Sequence, residues 1–155
     1  MDFNFSDDQQ QLRDAVRRWV DKGYSFERRR AIVAAGGFDR AAYGELADLG
    51  LTALTVPEAH GGLGQGAIDA MVAMEELGRG IVLEPLAQAF IASSVLGQYA
   101  TADLQAQWLP RIASGEALVV LAQQERKVRY HLEKCEAKAA PAQAGYTYPA
   151  CAGAA

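Results

Sequence analysis

One glycine-rich stretch decides how the rest of the sequence is arranged: residues 49–66, which read LGLTALTVPEAHGGLGQG. A helical pattern stops at Gly50, and the apolar run 51–56 predicts a short extended segment that Pro57 ends. A nearly all-apolar helical pattern follows Gly66. Because glycine adopts backbone conformations that other residues avoid, the loop either holds a ligand or lets two backbones pass closely.

Length and charge narrow the class of protein. The chain has 155 residues, half of them hydrophobic, which fits one domain with an ordinary core. A net charge of −4 argues against a nucleic-acid partner. No apolar run reaches the roughly 18 residues of a membrane span, and the acidic N-terminus is no signal peptide. Cys135 and Cys151 have no metal or redox spacing, so we expect a reduced, cytoplasmic protein without a metal site.

Capping residues and apolar periodicity predict about six helices. Residues suited to helix starts precede five of them, and the sixth follows Gly66; these residues are Ser6, Ser25, Asp39, Pro85 and Thr101. The first helix has an apolar face formed by Leu12, Val16, Trp19 and Val20, and the third has one formed by Ala42, Leu46 and Leu49. Pro110 is expected to kink or break the sixth helix near Leu109.

The helix after Gly66 is apolar on nearly every side. Its polar residues are only Asp69, Glu75 and Glu76. A helix of this composition is expected to be buried within a bundle. Its methionines, among them Met71, are interpreted as core residues.

The C-terminal quarter of the chain has strand-like features. Residues 117–122 are apolar and β-branched after a turn, which predicts a strand, and residues 146–148 indicate another. Residues 125–134 fit a helix or a half-buried strand. We expect an α-helical domain over residues 1–116 and an incomplete β domain over 117–155 that is poorly ordered toward its end.

A dinucleotide site is one interpretation of the glycine-rich loop. Residues 62–67 fit the pattern G-x-G-x-x-A, and Glu84 lies at the usual distance for a ribose-binding acid. Residues 57–61 separate the loop from the preceding extended run, however, and the second strand would have only the three residues 81–83. No third β-α unit follows, so this interpretation is the weaker one.

Five motifs in order resemble the N-terminal domain of acyl-CoA dehydrogenases, over about residues 3–125. These motifs are FSDDQ at 5–9, LADLGL at 46–51, VPE at 56–58 with GGLG at 61–64, EELG at 75–78 and LPRIASGE at 109–116. The resemblance implies a mainly α fold, an orthogonal or up-down helical bundle with a short β segment at its C-terminal end. In the family a β-barrel domain and a C-terminal four-helix bundle follow.

The resemblance also implies a reaction and a cofactor. In the family FAD takes the β hydride of an acyl-CoA thioester, a glutamate takes the α proton, and electrons leave to an electron-transfer flavoprotein. By position, Leu121, Gln123 and Gln124 correspond to the family's first flavin contacts. The base belongs to the later bundle, so no catalytic residue is assigned here. We expect acyl-CoA as the parent's substrate and a homo-oligomer.

In the family a threonine is usual at the position of Gln124, so this chain departs from the flavin-contact pattern. Two further interpretations follow from this departure and from the missing base. The chain on its own is expected to be catalytically incomplete, and it is alternatively a non-catalytic helical subunit or interaction module. Other polar candidates are interpreted as structural. The pair Asp7 and Asp8 suits a helix N-terminus, Arg28–Arg30 suit a solvated face, and His60 and His131 lack a partner acid in the sequence.

Overall fold

The computed structural model describes residues 4–121, 140–142 and 145–147. Residues 4–120 belong to one compact unit and the strands to a second. The described residues contain the helices α1 (Asp7–Gly23), α2 (Phe26–Ala34), α3 (Arg40–Asp48), α4 (Ala67–Arg79), α5 (Leu86–Tyr99) and α6 (Ala102–Ala113). The predicted mainly α fold of about six helices is confirmed.

Local sequence signals set the helix starts. Ser6 caps α1, since its side chain accepts from the amide of Gln9 while the Gln9 side chain accepts from the amide of Ser6. The side chains of Ser25 and Asp39 accept hydrogen bonds from backbone amides at the starts of α2 and α3. Thr101 precedes α6 without a side-chain capping bond. These caps lie within one turn of the residues they bind, which is why sequence alone reveals them.

The core lies where α1, α3, α4 and α5 meet. α1 packs against α4, and α5 packs against α6. The central buried cluster draws on all four core helices and on the segment after α3, through Val16, Val20, Tyr43, Leu46, Leu51, Leu54, Ala73, Leu77, Leu86 and Phe90. A second cluster under α6 contains Val56, Leu109 and Ile112. The predicted apolar face of α1 is therefore correct.

Two predictions about helix faces are wrong. Leu49 is 39% exposed because α3 has ended and the chain turns at Gly50, whose φ is 78°. In α4, Ile68 and Met71 are 57% and 52% exposed, whereas Glu76 is 2% exposed. α4 is thus buried on one side only, and that side contains a carboxylate.

The predicted extended segments are also different in the structure. Residues 51–56 form a 3₁₀ turn, Leu51–Ala53, and a further tight turn rather than a strand. Residues 117–121 form no strand, because no neighbouring strand in the described part of the chain offers them backbone hydrogen bonds. α6 continues through Pro110 to Ala113, so the expected break near Leu109 does not occur.

The second unit contains one strand pair. β1 (Ala140–Ala142) and β2 (Gly145–Thr147) are antiparallel, with Pro141 opposite Tyr146. The predicted strand at 146–148 overlaps β2 in two residues, and its last residue lies outside the described residues. The division into domains at residue 116 and the β domain itself stay predictions.

Candidate functional site

A cleft of about 620 Å³ lies between the start of α4 and the length of α5, beside the glycine-rich loop. Most of its wall is apolar, from Pro57, Ala67, Ala70, Phe90, Ile91 and Val95. Small residues of α5, Ser94 and Gly97, line it as well, so α5 leaves a groove here. Ligand sites are commonly concave and apolar with a few polar groups, and this cleft has that character.

A small number of polar groups interrupt the apolar wall. Thr55 Oγ1 and Ser93 Oγ are 2.8 Å apart, and Ser93 donates to the carbonyl of Phe90 at 3.0 Å. The amide side chains of Gln65 and Gln98 lie on the exposed part of the lining. The cleft therefore combines a large apolar surface with a hydroxyl pair.

The glycine-rich loop is held by its own backbone. The amides of Leu63, Gly64 and Gln65 donate to the carbonyls of Ala53, Val56 and Leu54 at 2.9, 2.9 and 2.8 Å. A Cβ on Gly62 would overlap the carbonyl group of Val56. Of the two uses of glycine, the loop thus shows close passage of two backbones.

The dinucleotide interpretation is wrong for this loop. Its amides are already used, and the amide of Gly66 at the start of α4 donates to the side chain of Asp69 at 3.1 Å. The loop amides therefore bind protein oxygens rather than standing ready for a phosphate. The supposed second strand is a turn in which Ile81 has a φ of 51°, and Glu84 is buried, so it presents no accessible carboxylate to a ribose.

Glu76 is the most perturbed carboxyl group of the described helices. Arg17 donates to both of its oxygens, at 2.6 and 3.2 Å, and Arg79 donates to one at 2.8 Å. These hydrogen bonds, first that of Arg17, lower the pKa of Glu76 to about 2 despite burial, which acts in the opposite direction. Such a carboxylate stays ionised and paired, so it serves α1–α4 packing.

Two of the three arginines of α2 form hydrogen bonds with protein groups. Arg28 donates to both oxygens of Glu45, at 3.0 and 2.8 Å, and to the carbonyl of Gly23 at 2.9 Å. Arg29 donates to the carbonyl of Gly80 at 2.6 Å. Arg28 and Arg29 therefore do not belong to a freely solvated face or to a phosphate site, because their guanidinium groups bind protein carbonyl and carboxylate oxygens. Arg30 is exposed and lies over the ring of Phe26.

The remaining candidate residues form no catalytic group. Glu75 is exposed and pairs with Arg13 at 2.7 Å. His60 lies on a 3₁₀ turn, Glu58–His60, and its side chain makes no hydrogen bond with the described residues. Leu121 is 43% exposed. Gln123, Gln124, His131 and both cysteines lie outside the described residues.

The family resemblance implied an acyl pocket walled by the helices around Met71 and Phe90, but the sequence pattern by itself does not show the cleft. In the sequence, the small residues of α5 such as Ser93 and Ser94 are compatible with close helix packing and equally with a groove. The groove forms because Thr55 and the loop approach α5 from more than thirty residues earlier in the chain. Pattern alone contains no signal for that approach.

The bundle and its cleft define an N-terminal domain of the acyl-CoA dehydrogenase type. The sequence profile described as "Acyl-CoA dehydrogenase, N-terminal domain" matches residues 6–116. The chain therefore belongs to the acyl-CoA dehydrogenase family, of which it contains the helical N-terminal domain.

Relatives and solved structures agree with this assignment. The chain is 34% identical to acyl-CoA dehydrogenase IpdE2 of Mycobacterium tuberculosis over 117 residues, which is 74% of this chain and 36% of that protein. Its fold matches a steroid acyl-CoA dehydrogenase variant, Tcur3481–Tcur3483, with a TM-score of 0.80 at 27% identity, over 91% of this chain and 39% of that one. This chain thus spans little more than a third of the length of either protein.

FAD is the cofactor of the family. The FAD complex of PigA has the same fold, with a TM-score of 0.78 at 22% identity over 96% of this chain and 40% of that one. Among the flavin contacts implied by the sequence, only Leu121 is described, and it offers an exposed apolar side chain. Gln123 and Gln124 lie outside the described residues, so these flavin contacts stay a prediction.

The described residues also lack two other features. They contain no group of three or more histidine, cysteine or acidic residues placed to hold a metal ion. None of their helices is both long enough and apolar enough to cross a bilayer.

Proposed function

We propose that this chain is the N-terminal part of a flavin-dependent enzyme that oxidises an acyl-CoA thioester at its α and β carbons. The α4–α5 cleft would hold the acyl group. The observation that carries the proposal is the apolar lining of this cleft, in a domain that belongs to the family. An acyl chain of moderate length gains binding free energy from each methylene that such a surface removes from water.

The chemistry would need groups beyond the described residues. Leu121, Gln123 and Gln124 are proposed to contact FAD, which would accept the hydride in the intact parent, and the catalytic base would come from a later domain. We further propose an electron-transfer flavoprotein as electron acceptor, a homo-oligomeric parent and a cytoplasmic location. The contribution of this chain to the reaction would be limited to binding and orienting the acyl group.

Binding of octanoyl-CoA to the isotope-labelled 155-residue chain tests the proposal. We expect octanoyl-CoA, but not free CoA, to shift the NMR signals of cleft amides such as those of Gly66 and Gly97. Ala67→Phe should block the cleft and abolish these shifts. Ala102→Phe is the matched control, since Ala102 is also an exposed alanine in a first helical turn but lies outside the cleft.

Two results would contradict the proposal. One is that octanoyl-CoA leaves the NMR signals of the cleft amides unchanged. The other is an intact parent protein that shows no flavin absorbance after FAD is added.

A non-catalytic helical subunit is the second candidate function. The observation that favours it is the exposed apolar pair Ile68 and Met71 on α4. Exposed apolar surface of this kind is typical of a protein interface. Analytical ultracentrifugation of the chain tests this candidate. Self-association that Met71→Lys abolishes supports it, whereas a monomer that binds no apolar dye contradicts it.

A further inference from the structure

Two hydroxyl groups form a polar spot in the apolar wall of the cleft. Thr55 follows the 3₁₀ turn that precedes the glycine-rich loop, and Ser93 lies in the middle of α5. Both residues line the cleft, and their hydroxyl oxygens are 2.8 Å apart. The spot is thus built from two separate parts of the chain.

The direction of each hydrogen bond follows from a count of hydrogens. A serine or threonine hydroxyl has one hydrogen and two acceptor lone pairs. Ser93 uses its hydrogen on the carbonyl of Phe90, at 3.0 Å. The two hydrogen bonds can form together only if Thr55 is the donor between the hydroxyls, and in that arrangement its oxygen can only accept from a third group.

Ser94 adds an uncommitted hydroxyl to the same wall. It lines the cleft and makes no hydrogen bond with the described residues. The cleft consequently offers one oxygen that must accept, on Thr55, and one hydroxyl that either donates or accepts, on Ser94. A bound group that gives a hydrogen to Thr55 satisfies the first of these.

We propose that the cleft selects an acyl group that bears a hydroxyl substituent, which donates its hydrogen to Thr55 Oγ1. This inference rests on the proposed acyl-binding function of the cleft and specifies its substrate class. A methylene at the same place would displace water from Thr55 and leave the oxygen without a partner. A ketone has no hydrogen to donate, so it loses the same bond, and a site that expects a hydrogen bond discriminates against groups that lack it.

The test compares an alcohol with the ketone of the same shape. We would titrate 4-tert-butylcyclohexanol and 4-tert-butylcyclohexanone into the labelled 155-residue chain and follow the amides of Gly66 and Gly97. Since a net hydrogen bond contributes on the order of 1 kcal/mol, we expect the alcohol to bind about fivefold more tightly.

A pair of threonine variants separates the hydroxyl from other effects. Thr55→Val should reduce the alcohol-to-ketone ratio to about one, while Ser93 still donates to Phe90 and no donor is left unpaired. Thr52→Val is the matched control. Thr52 donates to the carbonyl of Ala113 at 2.8 Å and does not line the cleft, so this variant should keep the wild-type ratio.

Each outcome decides between the two proposals. Equal binding of alcohol and ketone, or a ratio that Thr55→Val leaves unchanged, overturns the hydroxyl inference. If octanoyl-CoA still shifts the cleft amides in that case, the proposed acyl function stands without it. If neither octanoyl-CoA nor the two cyclic probes shift these amides, both proposals fail.

Discussion

Arg17 on α1 and Glu76 on α4 form a two-pronged ion pair across 59 residues of sequence, with Nη2 to Oε1 at 2.6 Å and Nε to Oε2 at 3.2 Å. The carboxylate is 2% exposed and also accepts from Arg79. The two guanidinium groups are about half exposed, so their charges remain hydrated. This arrangement joins the first and fourth helices without burying an unpaired charge.

Replacing Glu76 by glutamine should destabilise the domain. Glu76→Gln removes the charge from hydrogen bonds with two arginines, and we expect a loss of about 1–2 kcal/mol in the free energy of unfolding. The loss stays moderate because the arginines remain solvated. Urea denaturation measures it. Glu75→Gln is the control, since the exposed ion pair of Glu75 with Arg13 should contribute less than about 0.5 kcal/mol. Equal losses of unfolding free energy in the two variants would contradict the prediction.

Acid should remove the contribution of Glu76. The folded state lowers the pKa of Glu76 from 4.5 to about 2, so the folded form holds fewer protons than the unfolded form between these values. The stabilisation is therefore present above pH 4.5 and is lost as the pH falls toward 2. The difference in unfolding free energy between wild type and Glu76→Gln, measured at several pH values, should shrink in this range. A difference that grows on acidification would refute the assignment.

Alanine at Gly62 should damage the glycine-rich loop. Its Cβ would overlap the carbonyl of Val56, a backbone group that cannot move away cheaply, so we expect a loss of more than about 2 kcal/mol. Gly78→Ala is the control. Gly78 is an exposed glycine inside α4 with open space at its Cβ, and alanine there should stabilise by about 0.5–1 kcal/mol. Thermal unfolding of both variants checks the opposite signs, and a tolerated Gly62→Ala would show that the loop has room.

Lysine should not replace arginine at position 28. The guanidinium group of Arg28 reaches both oxygens of Glu45 and the carbonyl of Gly23, and a single ammonium group cannot reproduce this fork. We expect Arg28→Lys to cost about 1 kcal/mol in unfolding free energy. Arg30→Lys should cost much less, because Arg30 only lies over the ring of Phe26. Chemical denaturation measures both losses, and a larger loss of unfolding free energy for Arg30→Lys than for Arg28→Lys would contradict the prediction.

Local signals explain why most of the helical architecture could be predicted. The capping box of Ser6 and Gln9, the stop at Gly50 and the buried face of Val16 and Val20 all involve residues within two turns of one another. The physics of caps and periodicity acts over that range. The motifs at residues 46–51 and 109–116 likewise identified the family before any coordinates.

Long-range contacts explain the errors. Composition placed Met71 in a core, but the structure exposes Met71 and buries Glu76 of the same helix. Glu76 can be buried only because Arg17 lies opposite it, and Met71 is exposed only because α1 packs on the other side of α4. The strand expected over residues 117–122 is absent from its described part for a related reason, since a strand needs a neighbour and the described residues offer none to this segment.

Residue order alone therefore established the helices, their ends and the family, because these depend on neighbours along the chain. Folding in three dimensions decided which side of α4 is covered, what the glycines of the loop accommodate and where a cleft opens beside α5. Those outcomes depend on side chains that meet from distant positions, such as Thr55 with Ser93. A linear pattern specifies the residue types available for such meetings but not which of them will come together.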